Sequence, residues 1–187
     1  MSGRRKEKMF RITTGEYCFS VADHYPPLYH EYCEHALLAD LFRGEDASDA
    51  LCVVSVAKDD NWPFLVVAQE YRPGPQSGFY PGILFLPETH MLFIGAGELL
   101  LSYEVDINHP KKITEEGIGG GFWGWRLSGD HVIMSSELEL AVWDKQGNRL
   151  WNYFVEPPWT YAIKENVVFL DVMGKEISFL LSSGPQS

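Results

Sequence analysis

The chain has 187 residues, 45% of them hydrophobic, 22% charged and 14% aromatic, with a formal net charge of −11. That length buries a core as one domain or a close pair of subdomains, and the aromatic share, with six tryptophans, favours half-buried sheet. So acidic a chain repels phosphate backbones and anionic lipid, which argues against nucleic acid and membrane surfaces and towards a basic protein partner.

Four of the fifteen basic residues fall within the first eight positions. Without Arg4, Arg5, Lys6, Glu7 and Lys8, the balance is 11 basic to 25 acidic residues, or −14. No apolar run approaches the ~18 residues of a membrane helix. Thr13-Thr14-Gly15-Glu16 interrupts the apolar segment that a secretory leader would need after Met9. Cys18, Cys33 and Cys52 are widely spaced, odd in number and without a Cys-x-x-Cys pair, as expected for free thiols in a reducing compartment. A cytoplasmic location follows as the expectation.

In chain order, residues 1–8 predict a flexible tail. Met9 to Ile12 and Tyr17 to Val21 flank Thr14-Gly15-Glu16 as a hairpin, which Tyr25-Pro26-Pro27 breaks. From Leu28 to Phe42 the period becomes helical. Tyr29, Tyr32, Cys33, Ala36, Leu37 and Leu41 share one side of a wheel, and Gly44 is a plausible stop. Residues 45–49 form an acidic linker. Leu51 to Ala57 and Phe64 to Tyr71 predict a second hairpin, joined by the polar loop Lys58-Asp59-Asp60-Asn61-Trp62-Pro63. Two Pro and two Gly within residues 72–78 mark the best subdomain boundary. It separates an N-terminal part, 9–71, from a β-meander part, 79–181, within one compact globular unit.

Beyond the boundary, Gly82 to Leu86, Met91 to Ile94 and Leu99 to Asp106 read as strands. Residues 107–121 read as a polar connection ending in glycines. Phe122 to Phe154 then holds four short apolar runs and three turn signals, the pattern of a four-stranded antiparallel meander. Trp159 to Ile163, Val167 to Val172 and Ile177 to Leu181 follow. The expected fold is mainly β, built of antiparallel meanders in propeller-like or sandwich sheets, with one N-terminal helix near 28–42.

Segments recur at about forty residues, a spacing typical of stacked sheet units. Met91 to Leu101 is similar to Val132 to Leu140, about 39 residues apart; two looser likenesses, Asp144 to Asn148 with Asp171 to Lys175 (27 apart) and Gly124 to Leu127 with Trp159 to Ala162, accompany it. Leu140-Ala141-Val142-Trp143-Asp144-Lys145-Gln146-Gly147-Asn148-Arg149-Leu150-Trp151 resembles the blade motif of the pyrroloquinoline-quinone-type β-propeller repeats. That motif has Ala, one residue, Asp, a two-residue spacer, Gly, a polar residue and a hydrophobic-Trp pair. Ala141 sits one place further from Asp144 than the motif places it. Residues 171–177 resemble it more loosely. The resemblance implies blade-like sheets, and neither catalytic residues nor a quinone come with it; no cofactor is expected. The physics of the turn is explicit: Asp144 accepts backbone hydrogen bonds, Gly147 takes positive φ, the strand restarts at Asn148 or Arg149, and Trp151 caps the sheet face.

Chemistry has three candidate places. On a helix, His30/Glu34 and Glu31/His35 are i,i+4 pairs, able to hold a metal or to pair electrostatically on a solvated face. The five-residue spacing of His30 and His35 misses the zinc-protease motifs by one residue. For nucleophilic catalysis there is no Gly-x-Ser-x-Gly, and the cysteines sit in apolar contexts. The third place is aromatic. Alternation puts Trp123 and Trp125 on one strand face. With Arg126, Glu156, Trp159 and Tyr161 they form a candidate partner or ligand surface at one sheet end. The leading expectation is a non-enzymatic, acidic protein-binding module of the immunity or adaptor type. A sugar-like ligand site using exposed Trp is the second, and a metal-dependent enzyme using His30, Glu31, Glu34 and His35 the third.

Overall fold

A computed structural model describes residues 8–44, 50–73 and 80–186. Most of the expected tail, the acidic linker 45–49 and most of the loop 72–78 lie outside the described residues. Among the described residues the fold is mainly β, with antiparallel sheets and one helix near the N-terminus, and no sheet closes into a barrel. No helix among the described residues is long and apolar enough to cross a membrane. The chain divides into two compact units, Met1–Pro73 with Tyr103–Lys112, and Gly74–Ser102 with Ile113–Ser187.

The first unit holds strands β1 (Met9–Thr14), β2 (Tyr17–Ala22), β3 (Leu38–Phe42), β4 (Ala50–Lys58) and β5 (Leu65–Tyr71), and helix α1 (Tyr29–His35). Sheet order is β1-β2-β4-β5-β3. Both expected hairpins are present, β1 with β2 and β4 with β5. The helix is shorter than the periodicity predicts. Ala36 is extended at ψ 141, and the Leu37 and Leu38 amides donate to the Phe64 carbonyl at 2.9 and 3.2 Å. Leu38 to Phe42 then pairs parallel with β5. Leu-Ala-Asp-Leu-Phe reads equally as a helix face or as alternation, and the unpaired edge of β5 decides for strand.

One face of this sheet buries Tyr17, Phe19, Val54, Val56, Leu65 and Val67. The opposite face carries small side chains. Ala22, Val53 and Ala68 form a cluster there against Tyr29 and Leu51. Tyr103 donates its hydroxyl to Asp40 at 2.9 Å. Lys112 lies 3.8 Å from the same carboxylate and 5.0 Å from the Phe42 ring centre.

In the second unit the strands are β6 (Gly82–Leu86), β7 (Met91–Ala96), β8 (Leu99–Glu104), β9 (Lys111–Gly117), β10 (Phe122–Ser128), β11 (His131–Ser136), β12 (Glu139–Asp144), β13 (Arg149–Phe154), β14 (Trp159–Lys164), β15 (Val167–Val172) and β16 (Lys175–Leu180); parts of β8 and β9 belong to the first unit. They form sheets β6-β7-β8-β9, β10-β11-β12-β13 and β14-β15-β16. The meander over 122–154 is therefore observed, and so are the last three strands. β9 was not expected. Lys-Lys-Ile-Thr-Glu-Glu-Gly has almost no apolar alternation, because an edge strand leaves much of its surface to water.

Period-two alternation in β11 and β12 builds two cores from one sheet. Val132, Met134, Ala141 and Trp143 join Leu86, Met91, Phe93, Leu100 and Phe122. Ile133, Leu140 and Val142 join Trp159, Val168, Leu170 and Leu181 on the other side. The register agrees: Val132 opposes Trp143, Ile133 opposes Val142 and Met134 opposes Ala141.

The turn after β12 forms as its chemistry predicts. Asp144 Oδ1 accepts from the Gln146 and Asn148 amides, both at 2.9 Å, and Oδ2 accepts from the Asn148 side chain at 2.8 Å. Gly147 has φ +85, and its Cα approaches Met91 so closely that a Cβ would lie 2.7 Å from the Met91 methyl. At the tighter β15–β16 turn an aspartate again accepts a backbone amide, Gly174 donating to Asp171 at 2.7 Å. Trp151 donates to the Leu181 carbonyl at 2.6 Å and meets Phe179 edge-on.

Candidate functional site

In the first unit, a cleft of about 490 Å³ opens over the small-residue face of the sheet. Its floor is made by cross-strand rows in exact register. Arg11 opposes Ser20, which opposes Ser55, and Cys18 opposes Ala57. Period-two pleating sends all of these to one side, and their small size leaves the concavity. One wall comes from Leu28 and Tyr32 at the start of and within α1. The other is the β4–β5 loop, Asp59 to Pro63.

That loop is tethered rather than draped. The Asp59 amide donates to the Glu16 carbonyl at 2.9 Å, the Asn61 amide to Lys58 at 3.1 Å, and the Phe64 amide to Val56 at 2.9 Å. The Asn61 side chain adds a bond to the Lys58 carbonyl at 3.0 Å. Lys58 itself pairs with Glu16 at 2.7 Å. These bonds hold Trp62 over the cleft with 47% of its surface open. Tyr32 and His35 meet its ring edge-on, with centroids at 5.7 and 4.6 Å.

Two polar groups in the cleft stand out. Ser55 is 6% exposed, and among the described residues nothing hydrogen-bonds its hydroxyl. Arg11 is exposed and likewise has no ion-pair partner among the described residues. Ser55 lines the cleft, so its hydroxyl is open to a polar ligand atom there.

The residues singled out from the sequence lie elsewhere. A register shift between Phe122 and Gly124 makes Trp123 the extra residue of a bulge. Alternation therefore fails there, and Trp123 and Trp125 face opposite ways. Trp125 packs with Phe93, Phe122 and Trp143 at centroid distances of 5.5, 5.4 and 5.8 Å and donates to the Gly82 carbonyl at 3.2 Å. Trp123 stacks on Trp159 at 5.1 Å and 15°, and Trp159 lies at 6.1 Å and 28° from Tyr161. The Arg126 guanidinium lies 5.8 Å from the Tyr161 ring centre.

Four of the six thus converge as a ladder, but Trp159 is buried and donates to the Glu137 carbonyl at 3.1 Å. Burial raises the Tyr161 hydroxyl's pKa against the opposing pull of Arg126. Glu156 stands apart. It lines a groove of about 400 Å³ with Tyr153, Phe154, Val172, Met173, Lys175 and Ile177, which none of the other five borders.

His30, Glu31, Glu34 and His35 are all exposed on α1. His30 meets Tyr29 edge-on at 5.9 Å, and His35 is engaged by Trp62. Among the described residues, no three His, Cys, Asp or Glu side chains are grouped to hold a metal. Of the thiols, Cys18 is half-buried in the cleft, while Cys52 is buried and burial pushes its thiol up to about 12.

Sequence reasoning passed over Arg11, Ser20, Ser55 and Trp62. Trp62 did carry a signal, because an indole between Asp59-Asp60-Asn61 and Pro63 has no apolar neighbours in sequence to make it core. The two serines carried none, since their alignment exists only through strand register. A scan of protein-family models found no match to this chain, and a search of curated proteins found none.

Proposed function

We propose that this chain is a binding protein whose recognition site is the cleft over the five-stranded sheet, and that its ligand is small, hydroxylated and ring-shaped, as a sugar is. The observation that carries the reading is that the exposed Trp62 indole and the Ser55 hydroxyl, which has no partner among the described residues, line the same cleft. An indole face takes the apolar face of a ring. Asp59, Asp60 and Asn61 supply acceptors for its hydroxyls, and a concave site with few convergent polar groups suits a small ligand. The volume of about 490 Å³ falls in the range of ligand pockets, ~300–1,000 Å³. The test is a titration of a monosaccharide library followed by saturation-transfer NMR. Trp62→Ala is expected to abolish the signal and Trp125→Phe to leave it. A signal unchanged in Trp62→Ala refutes the cleft.

A second reading, an acidic module for a basic protein, rests on the charge of −11 and on exposed Phe154 and Met173 beside Glu156 in the other groove. Opposite charge accelerates encounter and is screened by salt. A basic protein captured at low salt, released at high salt and lost with Phe154→Asp supports this reading. Capture indifferent to both refutes it. The blade-like ancestry of the three-sheet unit is part of the same proposal, supported by the Asp144 and Asp171 turns.

A further inference from the structure

We propose that the row Arg11–Ser20–Ser55 is an anion subsite and that the cleft's ligand carries a carboxylate, as a sugar acid does. This rests on the cleft being the ligand site and adds the ligand's chemical class. The three residues occupy directly opposed positions on three adjacent strands, so their Cα atoms repeat at about 4.8 Å across the sheet. Every side chain in the row is a hydrogen-bond donor, and none has a protein partner among the described residues. Ser55 is almost wholly buried at the inner end, and Arg11 is exposed at the outer end. A carboxylate lying along the row accepts from the two hydroxyls and from the guanidinium, whose planar fork matches a carboxylate's two oxygens.

The opposite wall sets the rest of the ligand. Asp59, Asp60 and Asn61 line it, and the Lys58 ammonium nearby is engaged by Glu16 at 2.7 Å. That wall accepts hydrogen bonds and repels negative charge. The ligand is therefore anionic on the side of Arg11 and hydroxylated on the side of the aspartates, with a ring face for Trp62. The aspartates also favour a singly charged carboxylate over a phosphate dianion, because like charges within one cleft oppose each other.

The experiment compares glucuronate with glucose, which share a ring and differ by a carboxylate, by calorimetry on the full chain. Glucuronate is expected to bind at least about tenfold more tightly, a difference of about 1.4 kcal/mol. Arg11→Gln is expected to erase that preference, bringing the two affinities together, and Ser55→Ala to reduce it. Circular dichroism verifies that each variant is folded. Equal binding of the two sugars, or a preference that survives both substitutions, overturns the anion subsite and leaves the cleft reading intact. Binding of neither sugar overturns both. Loss of all binding in Trp62→Ala with the preference intact in wild type separates the ring contact from the anion contact.

Discussion

Gly95→Ala is expected to destabilise the second unit strongly, although it adds one methyl group. Gly82 and Gly95 oppose each other across β6 and β7, and the Phe122 ring lies over both. A Cβ on Gly95 would sit 2.5 Å from Cδ2 and Cε2 of Phe122 and 2.8 Å from Cζ. Carbon atoms rest at about 3.5–4.0 Å, so the ring must retreat by roughly 1 Å. It has no free space, being 2% exposed and 5.4 Å from the Trp125 ring centre. Overpacking of this kind costs about 1–3 kcal/mol. For a chain of this size that lowers the melting temperature by about 2–4 °C per kcal/mol.

The assay is urea denaturation followed by tryptophan fluorescence, repeated in a Phe122→Leu background. Leucine removes the ring edge that the methyl meets. Gly95→Ala is therefore expected to cost at least about 1 kcal/mol less there, a coupling typical of residues in contact. A Gly95→Ala change below about 0.5 kcal/mol, or equal costs in both backgrounds, refutes the close approach of ring and glycine.

Asp144→Ala removes three hydrogen bonds from the β12–β13 turn and is expected to lose about 1–2 kcal/mol, read as a lower urea midpoint with unchanged slope. Trp159→Phe deletes the donor to the Glu137 carbonyl; a loss of about 0.5–1.5 kcal/mol is expected, with the Trp123 emission shifting as its stacked neighbour changes. Burial of Cys52 raises its thiol from 9.0 to about 12, so the folded state keeps a proton that the unfolded state releases. Stability from this group is full below pH 9 and falls as pH rises towards 12, by up to about 1.4 kcal/mol per pH unit. Urea midpoints across that window are expected to fall more steeply in wild type than in Cys52→Ala, and parallel slopes refute the assignment. Cys18 and Cys33, both half-buried, are expected to react with a maleimide in the folded protein, whereas Cys52 reacts only after denaturation, as peptide mass spectrometry would read.

Most strands were legible because burial on both sides of β11 and β12 leaves an unmistakable apolar run. The Asp144 turn was legible because its hydrogen bonds span only four residues. Leu38 to Phe42 was misread as helix. Its partner, β5, lies more than twenty residues away in sequence, and nothing local distinguishes the two periods. The polar edge strand β9 escaped for the reason that edges are polar. The tryptophan pair was misplaced by one extra residue at Trp123, since a bulge inverts every later side chain and leaves little trace in composition.

By itself the sequence determined the class of the fold, the positions of its tight turns and the acidic balance. These depend on local propensity, short-range hydrogen bonds and charge, all of which sum along the chain. Tertiary structure alone decided which side chains meet. Ser20 and Ser55 are thirty-five positions apart, yet strand register sets them side by side with Arg11. Trp62 acquires its place only when its loop is tied to Glu16, Lys58 and Val56. A binding site depends on such long-range register, in which a one-residue slip moves a side chain to the opposite face.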